Sequence, residues 1–275
     1  MSETVPDDAA PPASILTAFG IVGRPEKLSG GRGRAWATPS VVLKPVDDEA
    51  EAVWIAELAA RLEPDGCRLP PPIPANDGRW IVGGWSAWTR VPGVHRTDRW
   101  AELLAGAEAF HRCVAGETKP EFIERRVDRW RVADRVAWGE LRWEDFAAIT
   151  HVVPLVTARR PLTLASQLIH GDLVGNVLFA DGLAPAIIDL SLYWRPRGYS
   201  AALVVGDALA WEGAGPSIIE LLAPLEEWPQ LLLRAVIFRV VVNELARRIM
   251  PWREDLSEPY RPLVDLTLSL ARSRG

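Results

Sequence analysis

The spacing of apolar residues changes once along the chain, and this change restricts the folds that the chain can adopt. Before about residue 92, apolar residues fall in short runs typical of β-strands, separated by turns rich in glycine and proline. From about residue 97, they recur at the spacing of amphipathic helices, and one strand pair at 177–188 is embedded among them. Strands and helices segregated in this way indicate an α+β fold. We predict an N-terminal lobe at 15–92 and a helical C-terminal lobe at 93–275.

Composition and charge exclude several classes of protein. The 275 residues are 48% hydrophobic, which is enough for one large domain or two modest lobes. A net charge of −5 provides no basic field for nucleic acid. Cys67 and Cys113 are too few for a disulfide framework or a thiolate metal site, and we expect a reducing, cytoplasmic environment. Residues 1–14 are acidic and rich in proline, and we predict a disordered tail there rather than a signal peptide.

The longest apolar stretch of the chain is "PQLLLRAVIFRVVVNEL", which begins at Pro229. Arg234 and Arg239 interrupt it well short of the roughly 20 apolar residues that a membrane span needs. We therefore predict a core helix and no membrane association.

The polar residues of "HGDLVGNVLFADGLAPAIID" are the first candidates for a functional site. Asp181-Gly182 separates two strand-type runs and is a strong hairpin signal. A hairpin about this turn places Asn176 beside Asp189, and Asp172 lies in the loop just before, so we expect all three at one end. Taken singly, such residues more often cap or turn the backbone. Together, the oxygens of an aspartate and of Asn176 are ligands that suit Mg²⁺. The second carboxylate can accept the proton of a hydroxyl.

The order H-G-D-x-x-x-N, followed after twelve further residues by Asp, resembles the catalytic core of the aminoglycoside phosphotransferase and choline kinase family. The similarity is greatest to an actinobacterial branch without an assigned substrate. The resemblance implies a bilobal protein-kinase-like fold, with a small β-rich N-lobe and a larger, mostly helical C-lobe. It implies that Asp172 is the catalytic aspartate and that Asn176 and Asp189 bind Mg²⁺. His170 and Asp207 are then structural braces of the catalytic loop.

The N-terminal half supplies the phosphate-binding parts that this resemblance implies, in the expected order. The strand "VVLK" ends in Lys44, one of only three lysines among 31 basic residues, and its ammonium would grip the α- and β-phosphates. The following acidic helix carries its predicted partner, Glu51, with Glu57 as the alternative. Backbone amides of a preceding glycine-rich turn would cover the phosphates, and we assign this role to Gly30, Gly31 and Gly33.

The segment "WSAWTRVPG" corresponds to the hinge of a kinase-like fold. Its backbone groups are predicted to bind the adenine ring at Trp88, Arg90 and Val91. The chain departs from the family's pattern in two places. Three residues rather than four separate Asp172 from Asn176, so we expect a tight turn at Val174-Gly175, where glycine can adopt a positive φ. Leu190 also stands where the family usually has an aromatic residue.

We predict a cytoplasmic phosphotransferase that depends on ATP and Mg²⁺ and moves the γ-phosphoryl group to a hydroxyl of an unidentified small molecule. The alternative is a kinase-like nucleotide-binding or regulatory module with little or no transfer activity. The shortened loop favours this alternative, whereas the intact set of Lys44, Asp172, Asn176 and Asp189 opposes it. A hydrolase would require a water-activating pair that the sequence does not supply. The acceptor, the choice between ATP and GTP, and the oligomeric state stay open.

Overall fold

The structure is a computed structural model that describes residues 9–29, 33–250 and 257–273. It divides into two compact units. The first comprises the residues up to Cys113 together with Gly175–Leu190, and the second comprises Val114–Val174 and the residues from Ser191 onward. The lobe boundary at residue 92 stays a prediction, because these units group 93–113 and the 175–190 hairpin with the N-terminal strands.

The described residues contain short strands and longer helices. The strands are β1 (Glu26–Lys27), β2 (Trp36–Ala37), β3 (Val41–Pro45), β4 (Pro72–Ile73), β5 (Ile81–Val82), β6 (Trp85–Thr89), β7 (Ser166–His170), β8 (Val177–Leu178), β9 (Ala186–Ile187) and β10 (Leu192–Pro196). The helices are α1 (Ala13–Ala18), α2 (Glu49–Arg61), α3 (Trp100–Cys113), α4 (Glu121–Arg125), α5 (Arg129–Trp138), α6 (Val152–Thr157), α7 (Gly198–Ala210), α8 (Trp228–Ile249) and α9 (Ser257–Ser273), with 3₁₀ turns at Trp143–Phe146 and Pro216–Leu222. Helix α1 therefore includes the last two residues of the predicted tail, of which 1–8 lie outside the described residues.

The sheet of the first unit is built around the antiparallel pair β3 and β6. Strands β2 and then β1 extend it beyond β3, while β4 and β5 both pair with β6. Leu43 faces Ala87 across the central pair, and these residues pack with Trp85, Ile15 and Phe19 in one buried cluster. The alternation of the strand leaves the next residue, Lys44, on the opposite face of the sheet from Leu43.

Helix α2 begins directly after Asp48. The Asp48 carboxylate caps the helix by accepting a hydrogen bond of 3.0 Å from the backbone N–H of Glu51. Such a cap satisfies one of the donors that the first helical turn leaves without a helical partner. Glu49 and Glu51 in the first turn also interact favourably with the positive end of the helix dipole.

Helix α8 forms the core of the second unit. It packs against α5, α7 and α9, and its residues from Trp228 to Phe238 are buried. No helix among the residues that the structure describes is long and apolar enough to cross a membrane. The two-stranded ribbon of β7 and β10 completes this unit, with His170 opposite Leu192.

A buried ion network joins β10 to α5. The Arg195 guanidinium donates to both carboxylate oxygens of Asp134, at 3.0 and 2.6 Å, and Arg131 donates to the same carboxylate at 2.7 Å. Glu140 accepts a further hydrogen bond from Arg195. The guanidinium also lies over the Trp138 ring, 4.9 Å from its centroid. The network thereby fixes the ribbon that leads into the H-G-D loop.

Candidate active site

Asn176 and Asp189 lie at the same end of the β8–β9 hairpin in the first unit. Val177 faces Ile187 in the antiparallel ladder, and the Asn176 carbonyl accepts a hydrogen bond of 2.9 Å from the backbone N–H of Ile188. The two residues predicted to bind a metal therefore occupy neighbouring positions, one on each arm of the hairpin. One supplies an amide oxygen and the other a carboxylate, and both are oxygen ligands that suit a hard cation.

Asp189 combines an unusual backbone conformation with an ion pair. Its φ is +54°, in the left-handed region that few residues other than glycine, asparagine and aspartate enter. Lys44 Nζ donates to its Oδ1 at 3.0 Å. The two side chains are 27% and 61% exposed, so the pair contributes no more than about 1 kcal/mol to stability. The pair matters for chemistry, because it places the Lys44 ammonium in direct hydrogen-bond contact with the Asp189 carboxylate.

The ammonium of Lys44 thus pairs with Asp189 in this structure, 145 positions further along the chain. Glu51, its predicted partner, lies in the first turn of α2, where its backbone N–H binds the Asp48 cap. The pairing of Lys44 with Glu51, or with Glu57, stays a prediction.

The structure describes only part of the predicted phosphate-covering turn. Gly30 and Gly31 lie outside the described residues. Gly33 has a φ of +68°, which a residue with a side chain rarely adopts, so a tight turn explains the glycine at this position.

The predicted hinge continues from the end of β6. Trp88 faces Val42 of β3, and its indole N–H donates to the Ser86 hydroxyl at 3.1 Å. The backbone N–H of Arg90 donates to the Ser40 carbonyl at 2.8 Å, so this donor ties the strand end to its neighbour. The assignment of Trp88, Arg90 and Val91 to adenine binding stays a prediction.

His170 holds the start of the H-G-D loop in the second unit. It is fully buried, and its Nδ1 accepts a hydrogen bond of 3.1 Å from the backbone N–H of Asp172. Its carbonyl accepts a hydrogen bond of 2.6 Å from the Ser200 hydroxyl of α7. Because Nδ1 accepts a hydrogen bond, the neutral ring carries its proton on Nε2. The histidine therefore braces the loop.

Close packing explains the glycine of the H-G-D motif. A Cβ atom at Gly171 would lie 2.4 Å from Cδ2 of the buried Tyr193 ring. The backbone N–H of Gly171 also donates to the Ser191 carbonyl at 2.8 Å. Only glycine allows the loop to approach the ring this closely while it keeps this hydrogen bond.

The Asp172 side chain contacts Arg239, which in the sequence stands out only as an interruption of an apolar run. Arg239 of α8 donates from Nη2 to Asp172 Oδ1 at 3.3 Å, and it also binds Asp207 of α7. Burial raises the pKa of Asp207 and Arg239 opposes this shift. Burial also disfavours the charged form of Arg239, but the two aspartates outweigh it and raise the pKa of Arg239. A charged residue within the long apolar run of α8 was the available signal.

Asp172 belongs to the second unit, whereas Asn176 and Asp189 belong to the first. The chain passes from one unit to the other at Val174-Gly175, and Gly175 has the positive φ, +83°, that the shortened loop was expected to need. That the side chains of Asp172, Asn176 and Asp189 lie close together stays a prediction. Among the residues that the structure describes, no cluster of three or more His, Cys, Asp or Glu side chains could hold a metal ion.

Comparison with known proteins identifies the family. The model of the phosphotransferase enzyme family (APH) matches residues 35–193, which is more than half of the chain. The chain belongs to this family. This result confirms the predicted resemblance and the assignment as a phosphotransferase of the small-molecule kinase class. No curated protein sequence matches the chain.

Solved structures of similar fold cover nearly the whole chain. Spectinomycin phosphotransferase APH(9)-Ia, in complex with ADP and spectinomycin, is 13% identical, with a TM-score of 0.57 over 94% of this chain and 96% of that one. A putative aminoglycoside phosphotransferase from Ralstonia eutropha JMP134 is 13% identical, with a TM-score of 0.59 over 94% and 95%. The gentamicin complex of APH(2")-IIa is 10% identical, with a TM-score of 0.56 over 96% and 97%. These similarities confirm the predicted α+β, kinase-like fold.

Proposed function

We propose that the chain transfers the γ-phosphoryl group of ATP to a hydroxyl of a small molecule. Lys44 binds the nucleotide phosphates, Asn176 and Asp189 hold Mg²⁺ with them, and Asp172 faces the acceptor. Family membership supports the reaction class. The contact of 3.0 Å between Lys44 and Asp189 is the observation that carries the residue assignment.

The Lys44–Asp189 pair supplies both charges that a metal–nucleotide complex needs. Phosphate oxygens are anionic and pair with an ammonium, while their metal ion pairs with a carboxylate. In this structure the two side chains pair with each other, so nucleotide binding exchanges one ion pair for two. Because the existing pair is partly exposed, breaking it costs little.

The ligand set at the hairpin end fits Mg²⁺ held jointly with phosphate. Mg²⁺ usually binds one or two protein side chains and takes its remaining oxygen ligands from water and substrate phosphates. Asn176 and Asp189 provide such a minimal set. When bound, the ion neutralises negative charge on the transferring phosphoryl group.

Asp172 has the complementary role toward the acceptor. Its backbone is held by His170, and its carboxylate orients the acceptor hydroxyl and takes up the proton that the hydroxyl releases. Phosphoryl transfer demands little covalent chemistry from the protein, so positioning and charge neutralisation supply most of the rate.

Structural relatives support the nucleotide. APH(9)-Ia has been solved with ADP and with AMP, and APH(2")-IIa with ATP and streptomycin. Variants of APH(4)-Ia have been solved in ternary complexes with a nucleotide and hygromycin B.

We further propose a cytoplasmic location. Cys67 and Cys113 are free, and burial raises the pKa of Cys67 to about 12, which makes it an inert thiol. Two unpaired cysteines are typical of a reducing compartment.

A matched pair of substitutions in the β8–β9 hairpin tests the metal–nucleotide site. Asp189→Asn removes the charge while asparagine still tolerates the positive φ, and Asp181→Asn makes the same change at the turn. ATP at about 100 times its Kd stabilises a protein by about 2.7 kcal/mol. For a chain of this size we expect the melting temperature to rise by about 5 °C. The shift should require both ATP and Mg²⁺, persist in Asp181→Asn, and fall below about 1 °C in Asp189→Asn.

Acceptor-dependent release of ADP, measured over a panel of hydroxyl compounds that includes spectinomycin, separates the kinase from a binding module. Turnover that Asp189→Asn lowers by at least about 100-fold supports the assignment. An equal ATP shift in both variants would refute the site, and ATP binding without turnover on any acceptor would favour the binding module.

A further inference from the structure

Arg239 is a charged residue in helix α8, which packs in the core of the second unit. Its neighbours Ile237, Phe238 and Val240 are buried, and the Arg239 side chain itself is only 15% exposed. A buried guanidinium requires compensation for the water that it loses. Asp207 provides it by accepting two hydrogen bonds, from Nε at 2.7 Å and from Nη2 at 2.5 Å. This fork-shaped pairing fixes the plane of the guanidinium.

The same Nη2 atom lies 3.3 Å from Oδ1 of Asp172. Asp207 is 7% exposed, whereas Asp172 is 48% exposed, so the guanidinium links a buried anchor to a carboxylate that reaches solvent. A separation of 3.3 Å is long for a charge-assisted hydrogen bond. Arg239 therefore acts on Asp172 mainly by charge and by limiting its rotamers.

We propose that Arg239 is a positioning residue for phosphoryl transfer, which orients the Asp172 carboxylate, while Asp207 holds Arg239 in place. This inference rests on the proposed function, in which Asp172 takes the proton of the acceptor hydroxyl. The orientation matters because a displacement of about 1 Å at a reacting group can lower the rate about 100-fold.

Arg234 provides a matched control on the same helix. It is also buried, but its guanidinium binds the side chain and carbonyl of Gln230 and the carbonyl of Arg160. Because these partners are uncharged, burial lowers the pKa of Arg234 to about 10. The two arginines therefore lie on the same helix, and both side chains are largely buried. They differ because Arg239 contacts the candidate catalytic aspartate, Asp172, whereas Arg234 binds uncharged groups.

The test uses the full chain with three changes: Arg239→Lys, the double variant Asp207→Leu with Arg239→Met, and Arg234→Met. The double variant replaces the ion pair with apolar groups, which avoids leaving one buried charge alone. Arg239→Lys keeps the positive charge but loses the planar, two-point pairing of the guanidinium with Asp207. Each protein is assayed for the ATP-induced melting shift, for kcat and KM in acceptor-dependent ADP release, and for the position of Asp172 by crystallography.

We expect kcat to fall about 100-fold in the double variant, with the KM for ATP within about three-fold of the wild type. Arg239→Lys should recover part of the loss, and Arg234→Met should keep kcat within about three-fold. The Asp172 carboxylate should take several rotamers or move in the double variant alone.

Two results would overturn the role of Arg239. One is a double variant with nearly wild-type kcat, and the other is an Asp172 carboxylate that stays in place without the guanidinium. A parallel loss of the ATP-induced shift would also overturn it, because Arg239 would then act through the fold. If the wild type neither binds ATP nor turns over any acceptor, the proposed function fails, and the crystallographic comparison still decides whether Arg239 holds Asp172.

Discussion

The buried carboxylate of Asp134 provides a quantitative test of how the second unit is held together. Asp134 is fully buried, and the two arginines that bind it, Arg131 and Arg195, are 5% and 9% exposed. We consider Asp134→Asn, which keeps the size of the side chain and removes its charge. The change leaves two buried guanidinium groups without their central carboxylate.

The cost follows from the partners that remain. Removing one partner of a buried ion pair typically costs about 3–5 kcal/mol, because the remaining charge stays buried without compensation. Here both arginines also lie near Glu140, at 3.8 Å for Arg131 and 2.5 Å for Arg195. This second carboxylate offsets part of the loss, so we expect about 3 kcal/mol. For a chain of this length, the melting temperature should fall by about 6 °C or more.

Urea unfolding followed by far-ultraviolet circular dichroism and tryptophan fluorescence measures this cost. Trp138 lies beside the network and contributes to the emission, which sums over the 13 tryptophans of the chain and reports on global unfolding. The control is Asp77→Asn, since Asp77 forms a similar two-point contact with Arg79 at the surface, at 2.9 and 2.7 Å. We expect no measurable change for the control. A loss below about 1 kcal/mol for Asp134→Asn would refute the argument that this carboxylate holds β10 against α5.

Two further predictions concern the H-G-D loop and the same ion network. Gly171→Ala should lower stability by about 1–3 kcal/mol and kcat by at least about 10-fold, because its Cβ would collide with the Tyr193 ring; unchanged melting and turnover would contradict the packing argument. Burial alone would raise the pKa of Glu140, but Arg195 outweighs it and holds the pKa below its ordinary value of 4.5. Glu140 therefore stabilises the fold above about pH 4.5, and this contribution is lost as the pH falls below that value. Melting curves of wild type and Glu140→Gln should thus converge between about pH 5 and pH 3, and parallel curves would show that Glu140 contributes nothing.

Local sequence signals account for the parts of the site that lie within one stretch of chain. Asp181-Gly182 determines the hairpin turn, and the alternation of the flanking strands then brings Asn176 next to Ile188 and Asp189. The positive φ of Gly175 likewise follows from the shortened loop. These features depend on neighbours along the chain, so they could be predicted without knowledge of the tertiary structure.

Pairs that form between distant segments could not be predicted in the same way. The family's spacing suggests Glu51 as the partner of Lys44, and that pairing stays a prediction. The contact that the structure shows between Lys44 and Asp189 joins residues 145 positions apart. Packing brings such residues together, and their spacing along the chain carries no information on it.

One face of α7 explains how the second unit controls both ends of the H-G-D loop. Ser200 and Asp207 are seven residues apart, so they lie two turns apart on the same face of the helix. Ser200 binds the carbonyl of His170 at the start of the loop, and Asp207 reaches Asp172 through Arg239. A single rigid helix thereby fixes the backbone before Asp172 and the orientation of its side chain. The seven-residue spacing of Ser200 and Asp207 was visible in the sequence, but its meaning depends on Arg239, which another helix supplies.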